Sequence, residues 1–455
     1  MTSLSSVSTF KARGAAPRGS WHALIFLWII FALDMNSRML FYGVLPMLTR
    51  EFGLSASDAG LYTAIVTVST ALLAVPGMVW ADKGGHGWKR KYRHLTIIIG
   101  YTLFTFLSGV SFLSASLLSF MILQVISHMI GGVGESVEVT SLGEWWSEQR
   151  RGFALGLHHT ASPWGTLIGG IAISWVLTTY GDENWRLVFL LFPIPVIVAF
   201  GAYWLFCTKQ RYEKLHADIE AAGETPPLKP ETVSNTHQPN RFRNTIRNPN
   251  ILAISLASLL AIVGFFGLSF WLPQYLTFVA NYSAADAAAY SVLFTITGGL
   301  GQIAWGWLSD RIGRKFCLML IFVWLAGALL LFQFASTGLG TLLLIQVVAG
   351  LVLNAPYTVI YAIAFDSAEE GAAGTAISIV NAGVYLGGVG PYVIGAIIDF
   401  GGGFGQIAGY HTALYFMSGL MLLGFVITAL FTRETCGWFK RHDRALVSRA
   451  ACNLA

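Results

Sequence analysis

The sequence predicts an all-α integral membrane protein, with twelve transmembrane helices in two pseudo-symmetric six-helix bundles. Hydrophobic residues make up 55% of the 455 residues and charged residues only 11%, with a mean hydropathy of +0.62. Soluble domains carry about 25% charged residues. Apolar runs long enough to span a bilayer recur along the chain. A turn with an Asp, glycines and a cluster of cations occurs twice, about half a chain length apart.

The apolar runs fall into two groups of six, because a transmembrane helix needs about 20 mostly apolar residues. Residues 1–21 form a tail, 22–207 the first group, 208–249 a polar and basic linker, 250–432 the second group and 433–455 a second tail. The first tail lacks the apolar core and cleavage site of a signal peptide, so we expect the first span to act as the export signal. The predicted spans are 22–46, 57–80, 94–114, 117–140, 152–180, 186–207, 250–279, 285–308, 315–334, 339–364, 372–398 and 409–432.

The distribution of cations predicts how these spans are oriented. If the N-terminus is cytoplasmic, all of the 28 Lys and Arg residues fall in cytoplasmic segments except Arg38, Arg50 and Arg186. This asymmetry follows the positive-inside rule. It predicts cytoplasmic termini and a cytoplasmic linker in the inner membrane of a bacterial-type cell. The net charge of +5 then reflects topology, and we expect no nucleic-acid partner.

The repeated turn reads GWLSDRIGRK at 306–315, and a looser copy, GMVWADKGGHGWKRK, occupies 77–91. Its aspartates fall at helix ends, where a carboxylate can accept hydrogen bonds from helix N-termini and pair with Arg or Lys across the two halves. Anchoring by positive charge explains the cations but not the paired aspartates and glycines. The residues predicted to make these contacts are Asp82, Lys89, Arg90, Asp310, Arg311 and Arg314.

The two turns and the two halves together resemble the major facilitator superfamily, over about residues 20–435. The resemblance implies a secondary transporter that works by alternating access, with a site near the bilayer midplane between the halves. It also implies that the turn residues form a cytoplasmic gate, closed when the protein faces outward. We expect no enzyme, cofactor or metal site, since no catalytic constellation occurs outside the spans and the four cysteines lack metal or disulfide spacing.

Ionisable residues inside a span are costly and therefore indicate function. In span 1, Asp34 and Arg38 are four residues apart, so they share a helix face and can pair. We expect Arg38 to face a central cavity and bind an anion, Tyr42 to contribute to the same substrate site, and Asp34 to be a proton-coupling residue. A purely structural Asp–Arg pair is the alternative.

Span 4 carries a polar stripe, because Gln124, His128, Gly131, Glu135 and Glu138 recur at steps of three and four residues. In an otherwise apolar span, we expect this stripe to face the cavity. Burial disfavours the charged form of a carboxyl group, which suits a proton carrier. We predict Glu135 as that carrier, whereas Glu138 is either a helper or a gate or helix-end charge. His128 either makes substrate binding sensitive to pH or is a hydrogen-bonded helix contact.

Several segments are similar to the anion:cation symporter family, whose members take up organic anions such as sugar acids and aromatic carboxylates, many of them with protons. They read HMIGGVGE, WW, RRG, WLPQY and NAGVYLGG. The resemblance implies uptake of an organic anion. These segments lie at 128–135, 145–146, 150–152, 271–275 and 381–388.

Arg38 falls on the substrate arginine of that family, counted back from residues 51–55. Two departures are visible. The family usually has an Asp directly before this arginine, where this chain has Ser37 and carries Asp34 one turn earlier. An Arg is common in span 4 where this chain has His128. The substrate therefore stays open at this point.

The second half supplies amide, hydroxyl and aromatic side chains that can line a midplane cavity. Each is also compatible with ordinary packing, although Asn381 and Tyr385 are favoured because an Asn in lipid needs a partner. His158 and His159 open span 5 and either face the cavity or pack. The substrate-binding candidates of this half are Trp271, Gln274, Asn354, Tyr357, Tyr361, Asn381 and Tyr385.

Together these features predict a monomeric secondary transporter that takes up a small organic anion by proton symport, with the substrate carboxylate on Arg38. The first alternative is a proton-driven exporter of a drug, siderophore or metabolite. It is disfavoured because residues 162–170 lack the Gly-Pro pair that antiporters of the superfamily often carry in span 5. The second alternative is a membrane sensor without transport, which would not need the charged residues of spans 1 and 4.

Overall fold

The computed structural model confirms that the chain is helical: within the residues it describes, all regular secondary structure is α-helix or 3₁₀ helix. Short connections join most of the helices. The described residues are 15–53, 56–227, 240–282, 290–291, 293–403 and 405–439.

The first half contains two spans that are each divided into two helices. α5 and α6 meet at Thr160, whose N–H donates to the Leu157 carbonyl and so tightens the turn. α7 and α8 meet at Phe192, because Pro193 has no N–H to continue the helix. The helices are α1 (Arg18–Phe52), α2 (Ala56–Lys83), α3 (Arg90–Gly109), α4 (Leu117–Glu144), α5 (Arg151–His159), α6 (Ala161–Tyr180), α7 (Leu187–Leu191) and α8 (Pro193–Phe206).

The second half follows two linker helices and also contains divided spans. α14 and α15 meet at Asn354, with Pro356 in the first turn of α15. A 3₁₀ turn at Gly387–Val389 separates α16 from α17, and Pro391 lies in the first turn of α17. The helices are α9 (Lys209–Ala221), α10 (Arg241–Ile246), α11 (Pro249–Phe278), α12 (Leu293–Arg311), α13 (Arg314–Leu331), α14 (Leu339–Leu353), α15 (Ala355–Ser367), α16 (Ala373–Leu386), α17 (Gly390–Phe400) and α18 (Ile407–Phe431).

Among the described residues, nine segments are long and apolar enough to cross a membrane. Three predicted spans, 94–114, 152–180 and 285–308, are not among the nine, although most of their described residues are helical. Twelve spans therefore remain a prediction. The nine segments are Arg18–Ser37, Ile65–Lys83, Leu117–Glu144, Leu187–Phe206, Pro249–Phe278, Arg314–Phe334, Leu339–Ser367, Ala373–Phe400 and Ile407–Phe431.

The two halves meet mainly along two pairs of helices, α2 with α16 and α5 with α12. Glycines allow α5 and α12 to approach closely. A Cβ atom on Gly152 would lie 2.7 Å from the carbonyl oxygen of Gly306, and one on Gly156 would clash with the carbonyl oxygen of Gln302. A larger residue at either glycine would push the halves apart, because the backbone cannot yield. The close approach places Asp310 beside the N-terminus of α5.

The far end of α1 carries an ion pair that joins it to the loop before α7. The Glu51 carboxylate accepts hydrogen bonds from Nη2 and Nη1 of Arg186, at 2.7 and 3.0 Å, and from Nε1 of Trp185 at 2.8 Å. The hydrogen bond from Arg186 is the main reason that the pKa of Glu51 lies below its ordinary value. Glu51 lies beyond the predicted span 22–46, and its side chain is 37% exposed, so solvent screens the pair.

We expect the melting temperature of the solubilised protein to fall as the pH drops below about 4.3, the ordinary pKa of Glu. Because the pKa of Glu51 is lowered in the folded state, the pair stabilises the fold above that value, and this contribution is lost as the pH falls through the folded-state pKa. Melting curves of wild type and Glu51→Gln over the acid range test this. The variant should be the less acid-sensitive of the two; an equal sensitivity contradicts a stabilising pair.

Candidate functional site

The first of the two repeated turns, at residues 77–91, takes part in a buried hydrogen-bond network that crosses between the halves. Oδ2 of Asp82 accepts hydrogen bonds from the N–H and the hydroxyl of Thr375, at 2.7 and 2.9 Å, in the first turn of α16. Arg90 donates to Oδ1 of Asp82 at 2.8 Å and makes two hydrogen bonds to Glu144, at 2.6 and 2.8 Å. We call Asp82, Arg90, Glu144 and Thr375 the first turn cluster. An aspartate of the first half thus caps a helix of the second.

The second turn repeats this arrangement in the opposite direction. Asp310, in the second half, accepts hydrogen bonds from the N–H groups of Gly152 and Phe153, at 3.0 and 2.9 Å, at the N-terminus of α5 in the first half. Nη2 of Arg314 lies 3.4 Å from Oδ1 of Asp310. Both aspartates therefore bind the positive end of a helix in the other half.

Asp366 extends the second network between the halves. Its carboxylate lies 2.8 Å from Nη1 of Arg151 in the first half and 3.0 Å from Nη1 of Arg314 in the second. Asp310, Arg314, Asp366, Arg151 and the α5 N-terminus form the second turn cluster. Separating the halves at this end would break several charge-assisted hydrogen bonds, each contributing about 1.5–3 kcal/mol.

Two of the six predicted turn residues lie outside both clusters. Nζ of Lys89 lies 5.7 Å from the centre of the Trp88 ring, and the guanidinium carbon of Arg311 lies 3.8 Å from the centre of the Trp307 ring. Arg311 is exposed. Both cations therefore pack on neighbouring aromatic rings of their own half.

The linker contacts the loop that carries Glu148, next to the second turn cluster. The Glu224 carboxylate accepts hydrogen bonds from the Ser147 hydroxyl at 2.6 Å and from Nε of Arg150 at 2.7 Å. The carbonyl oxygen of Glu148 in turn accepts a hydrogen bond from Arg314 at 3.2 Å. The linker therefore shapes a loop that the second half contacts.

We expect Glu224→Gln to increase backbone hydrogen exchange over residues 208–227, because the charged acceptor of two hydrogen bonds is lost, at a cost of about 1.5–3 kcal/mol each. Glu213→Gln is the matched control. Glu213 lies on the same linker and makes an exposed pair with Lys209 at 3.6 Å, so its removal should change exchange little. Equal exchange in the two variants would exclude this role of Glu224.

A second group of polar residues crosses between the halves deeper in the bundle. Tyr385 donates a hydrogen bond to Oε2 of Glu135 at 2.6 Å, and Nδ2 of Asn381 donates to the Ser136 hydroxyl at 3.0 Å. The hydroxyl of Tyr361 donates to Oδ1 of Asn381. All five side chains are buried. We call them the central polar cluster; they join α4 to α15 and α16.

The polar stripe of α4 does not face a single neighbour, so the expectation that all of it faces the cavity is wrong. Gln124 donates to the Ser108 hydroxyl of α3 at 2.8 Å, and Glu138 lies 3.5 Å from Nε2 of His94, also in α3. Glu135 faces α16 instead. The stripe runs along the border between two neighbouring helices, so its two edges meet different partners.

The predicted anion site in α1 is described only in part. Asp34 is buried, with 1% of its surface exposed. The side chains of Arg38 and Tyr42 lie outside the described residues. In α4, Nδ1 of His128 lies 2.9 Å from the carbonyl oxygen of Gln124, one turn earlier.

The remaining four candidates of the second half are not members of the central polar cluster. Trp271 donates to the Pro391 carbonyl oxygen at 2.8 Å and lines an apolar cavity within the second half. Gln274 is half-buried. Asn354 lies at the break between α14 and α15, and its carbonyl oxygen accepts a hydrogen bond from Gln302 at 3.3 Å. Tyr357 is buried.

A sequence profile matches both halves of the chain. The profile of the Major Facilitator Superfamily matches residues 27–298 and 281–448. The chain belongs to the Major Facilitator Superfamily. It is therefore a multi-pass membrane transporter and not an enzyme.

The relatives of this Major Facilitator Superfamily chain include two kinds of carrier. The chain is 25% identical over 415 residues to the cis,cis-muconate transport protein of Acinetobacter baylyi, covering 90% of this chain and 94% of that protein. It is also 25% identical over 270 residues to the glucose-6-phosphate exchanger SLC37A2 of Xenopus laevis. That match spans 53% of each protein, so the chain covers only about half the length of this exchanger.

Solved structures of the superfamily share the fold. The E. coli fucose:proton symporter FucP superposes with a TM-score of 0.70 at 16% identity, covering 91% of this chain and all of FucP. The proton:xylose symporter XylE superposes with a TM-score of 0.69 at 14% identity, covering 92% of this chain and 97% of XylE. These likenesses show the fold alone.

Proposed function

We propose that this transporter is a proton-coupled symporter that takes up a small organic anion. The observation that carries the proposal is the hydrogen bond between Tyr385 and Glu135 across the two halves, at 2.6 Å. Glu135 is a titratable group, and its side chain is buried where the halves meet. Protonation of this carboxyl group therefore changes a contact that holds the halves together.

Proton binding at Glu135 is linked to the arrangement of the halves by simple electrostatics. A charged carboxylate in a buried position is costly unless hydrogen bonds or cations compensate it. When the halves separate at the centre, Glu135 loses the hydrogen bond from the Tyr385 hydroxyl. This loss costs more free energy when Glu135 is ionised than when it is protonated. Proton binding therefore biases the equilibrium between the two arrangements, as alternating access requires. Asp34 is the second proposed proton-coupling residue.

The substrate proposal rests on α1 and on the muconate relative. Arg38 would bind a carboxylate of the substrate, and a guanidinium can do so through two parallel hydrogen bonds. Similarity to a cis,cis-muconate transport protein over 90% of the chain supports an organic acid. The other residues proposed to line the site are Tyr42, His128, Trp271, Gln274, Asn354, Tyr357, Tyr361, Asn381 and Tyr385.

The two turn clusters would form the cytoplasmic gate. Because they join the halves at one end, this proposal implies a state that is closed to the cytoplasm. We propose a monomer with twelve spans, cytoplasmic termini and a place in the inner membrane, in agreement with the distribution of the 28 Lys and Arg residues.

Proton movement coupled to substrate addition tests the proposal. Purified protein is reconstituted in proteoliposomes that contain a pH-sensitive dye, and a panel of organic acids that includes cis,cis-muconate is added outside. Acidification of the lumen that depends on both protein and acid is the expected result. If acids of the panel cross the membrane without proton movement, symport is contradicted.

Sugar-phosphate exchange is the second candidate, favoured by the similarity to SLC37A2. An exchanger moves substrate only when a counter-substrate is present on the other side. Vesicles loaded with inorganic phosphate and supplied with labelled glucose-6-phosphate therefore distinguish the two functions. Uptake that requires internal phosphate supports exchange; uptake of an organic acid into phosphate-free vesicles supports symport.

A further inference from the structure

His159, the last residue of α5, is buried at the interface between the halves. Only 6% of its surface is exposed. Its Nδ1 lies 3.0 Å from the carbonyl oxygen of Leu155, one turn earlier. A carbonyl accepts but cannot donate, so Nδ1 carries the hydrogen and Nε2 of the neutral ring carries a lone pair. Nε2 has no hydrogen-bond partner in the part of the chain that the structure describes.

The ring of His159 adjoins the central polar cluster. Its centre lies 4.8 Å from that of the Tyr361 ring in the other half, with the rings inclined by 31°. Tyr361 in turn donates to Asn381, which bonds to Ser136 next to Glu135. Glu135 belongs to the same cluster through its hydrogen bond from Tyr385.

The groups packed around His159 include few that can change charge. Glu135 of α4, Tyr361 of α15 and His158 of α5 are titratable; the His158 ring lies 5.6 Å away. α1 presents Phe31, whose ring lies 5.6 Å from that of His159. α12 passes close to α5 at Gln302, which does not titrate. A positive charge on His159 would therefore be offset by the buried carboxyl groups of Glu135 in α4 and Asp34 in α1, or by a bound anion.

We propose that His159 binds a proton at Nε2 during the transport cycle, in addition to the proton on Glu135. This proposal rests on the proposed function. A substrate anion that enters the buried space between the halves brings negative charge that needs compensation. The neutral imidazole takes one proton and becomes imidazolium, and the proton leaves the ring when the anion is released. Histidine suits this step, because its ordinary pKa lies within the physiological range.

The proton-to-substrate ratio tests this proposal in proteoliposomes, with cis,cis-muconate as the first probe. The ratio follows from the pH gradient that balances a known substrate gradient. His159→Gln keeps a polar side chain but cannot bind the proton, so the ratio should fall by one proton. His158→Gln is the matched control, since His158 stacks on Phe31 at 4.8 Å within the first half; its ratio should equal that of wild type.

A binding measurement keeps the proposal testable if His159→Gln does not transport. Muconate binding to solubilised protein should draw protons from a weakly buffered solution. Glu135→Gln should still draw a proton, and Glu135→Gln combined with His159→Asn should draw one proton fewer than Glu135→Gln alone. If wild type couples to protons and Glu135→Gln alone removes all uptake, or if His159→Gln keeps the wild-type ratio, the role of His159 is wrong. If wild type itself moves no protons, the proposed function fails instead.

Discussion

Glu135→Gln is expected to lower the accumulation of substrate driven by a pH gradient of one unit by about tenfold, the factor that one coupled proton contributes. Gln can still accept the hydrogen bond from Tyr385, so the contact between the halves and the fold should persist. It cannot bind a proton, so the free energy of the proton gradient no longer reaches the substrate through this residue. Accumulation ratios of labelled substrate in proteoliposomes measure the effect.

Glu138→Gln is the matched control for this prediction. Glu138 lies on the same helix, and its carboxylate lies 3.5 Å from Nε2 of His94 in α3. Its replacement should leave the accumulation ratio unchanged, and equilibrium exchange should persist in both variants. A Glu135→Gln protein that accumulates substrate as wild type does would remove Glu135 from the coupling mechanism.

Asp310→Asn is expected to shift the protein toward the state that is open at the turn end. The Asp310 carboxylate accepts two hydrogen bonds from backbone N–H groups at the N-terminus of α5. Asn keeps one acceptor oxygen and turns an NH₂ group toward a donor, so at least one charge-assisted bond is lost. That loss is about 1.5–3 kcal/mol, which corresponds to a shift of about tenfold or more in the population ratio.

Spin labels placed on the two halves measure this shift. Lys83 and Glu370 are exposed and flank the contact between α2 and α16. Cysteines at these positions, in a background without the native cysteines, report the distance by electron paramagnetic resonance. Asp310→Asn should populate a longer distance, whereas Asp399→Asn, an exposed carboxylate at the other end of the second half, should not. Unchanged distances in Asp310→Asn would show that the turn cluster does not stabilise the closed state.

The helical class and the repeated turn were accessible from the sequence, but half of each turn cluster was not. Glu144 and Asp366 end apolar spans, where a carboxylate is usually taken for a solvated helix end. Their role depends on the packing of α3 against α4 and of α13 against α15, which brings Arg90 and Arg314 to them. Their matching places in the two halves were the available signal.

Periodicity likewise identified the polar stripe of α4 but not its partners. It predicts which residues share a face, whereas the neighbour of that face depends on contacts distant in sequence. Tyr385, which bonds to Glu135, is 250 residues away. Gln124 bonds to α3 and Glu138 lies against His94 of α3, and no local pattern separates these two residues from Glu135.

Accumulation of cis,cis-muconate under an imposed proton gradient tests the central claim most directly. Proteoliposomes with an alkaline, phosphate-free lumen are placed in acidic buffer with labelled muconate. Symport predicts that the internal concentration rises above the external one and that a protonophore collapses it. Two results together would contradict symport and establish exchange. In the first, muconate and the other acids of the panel only equilibrate across the membrane; in the second, glucose-6-phosphate uptake requires internal phosphate.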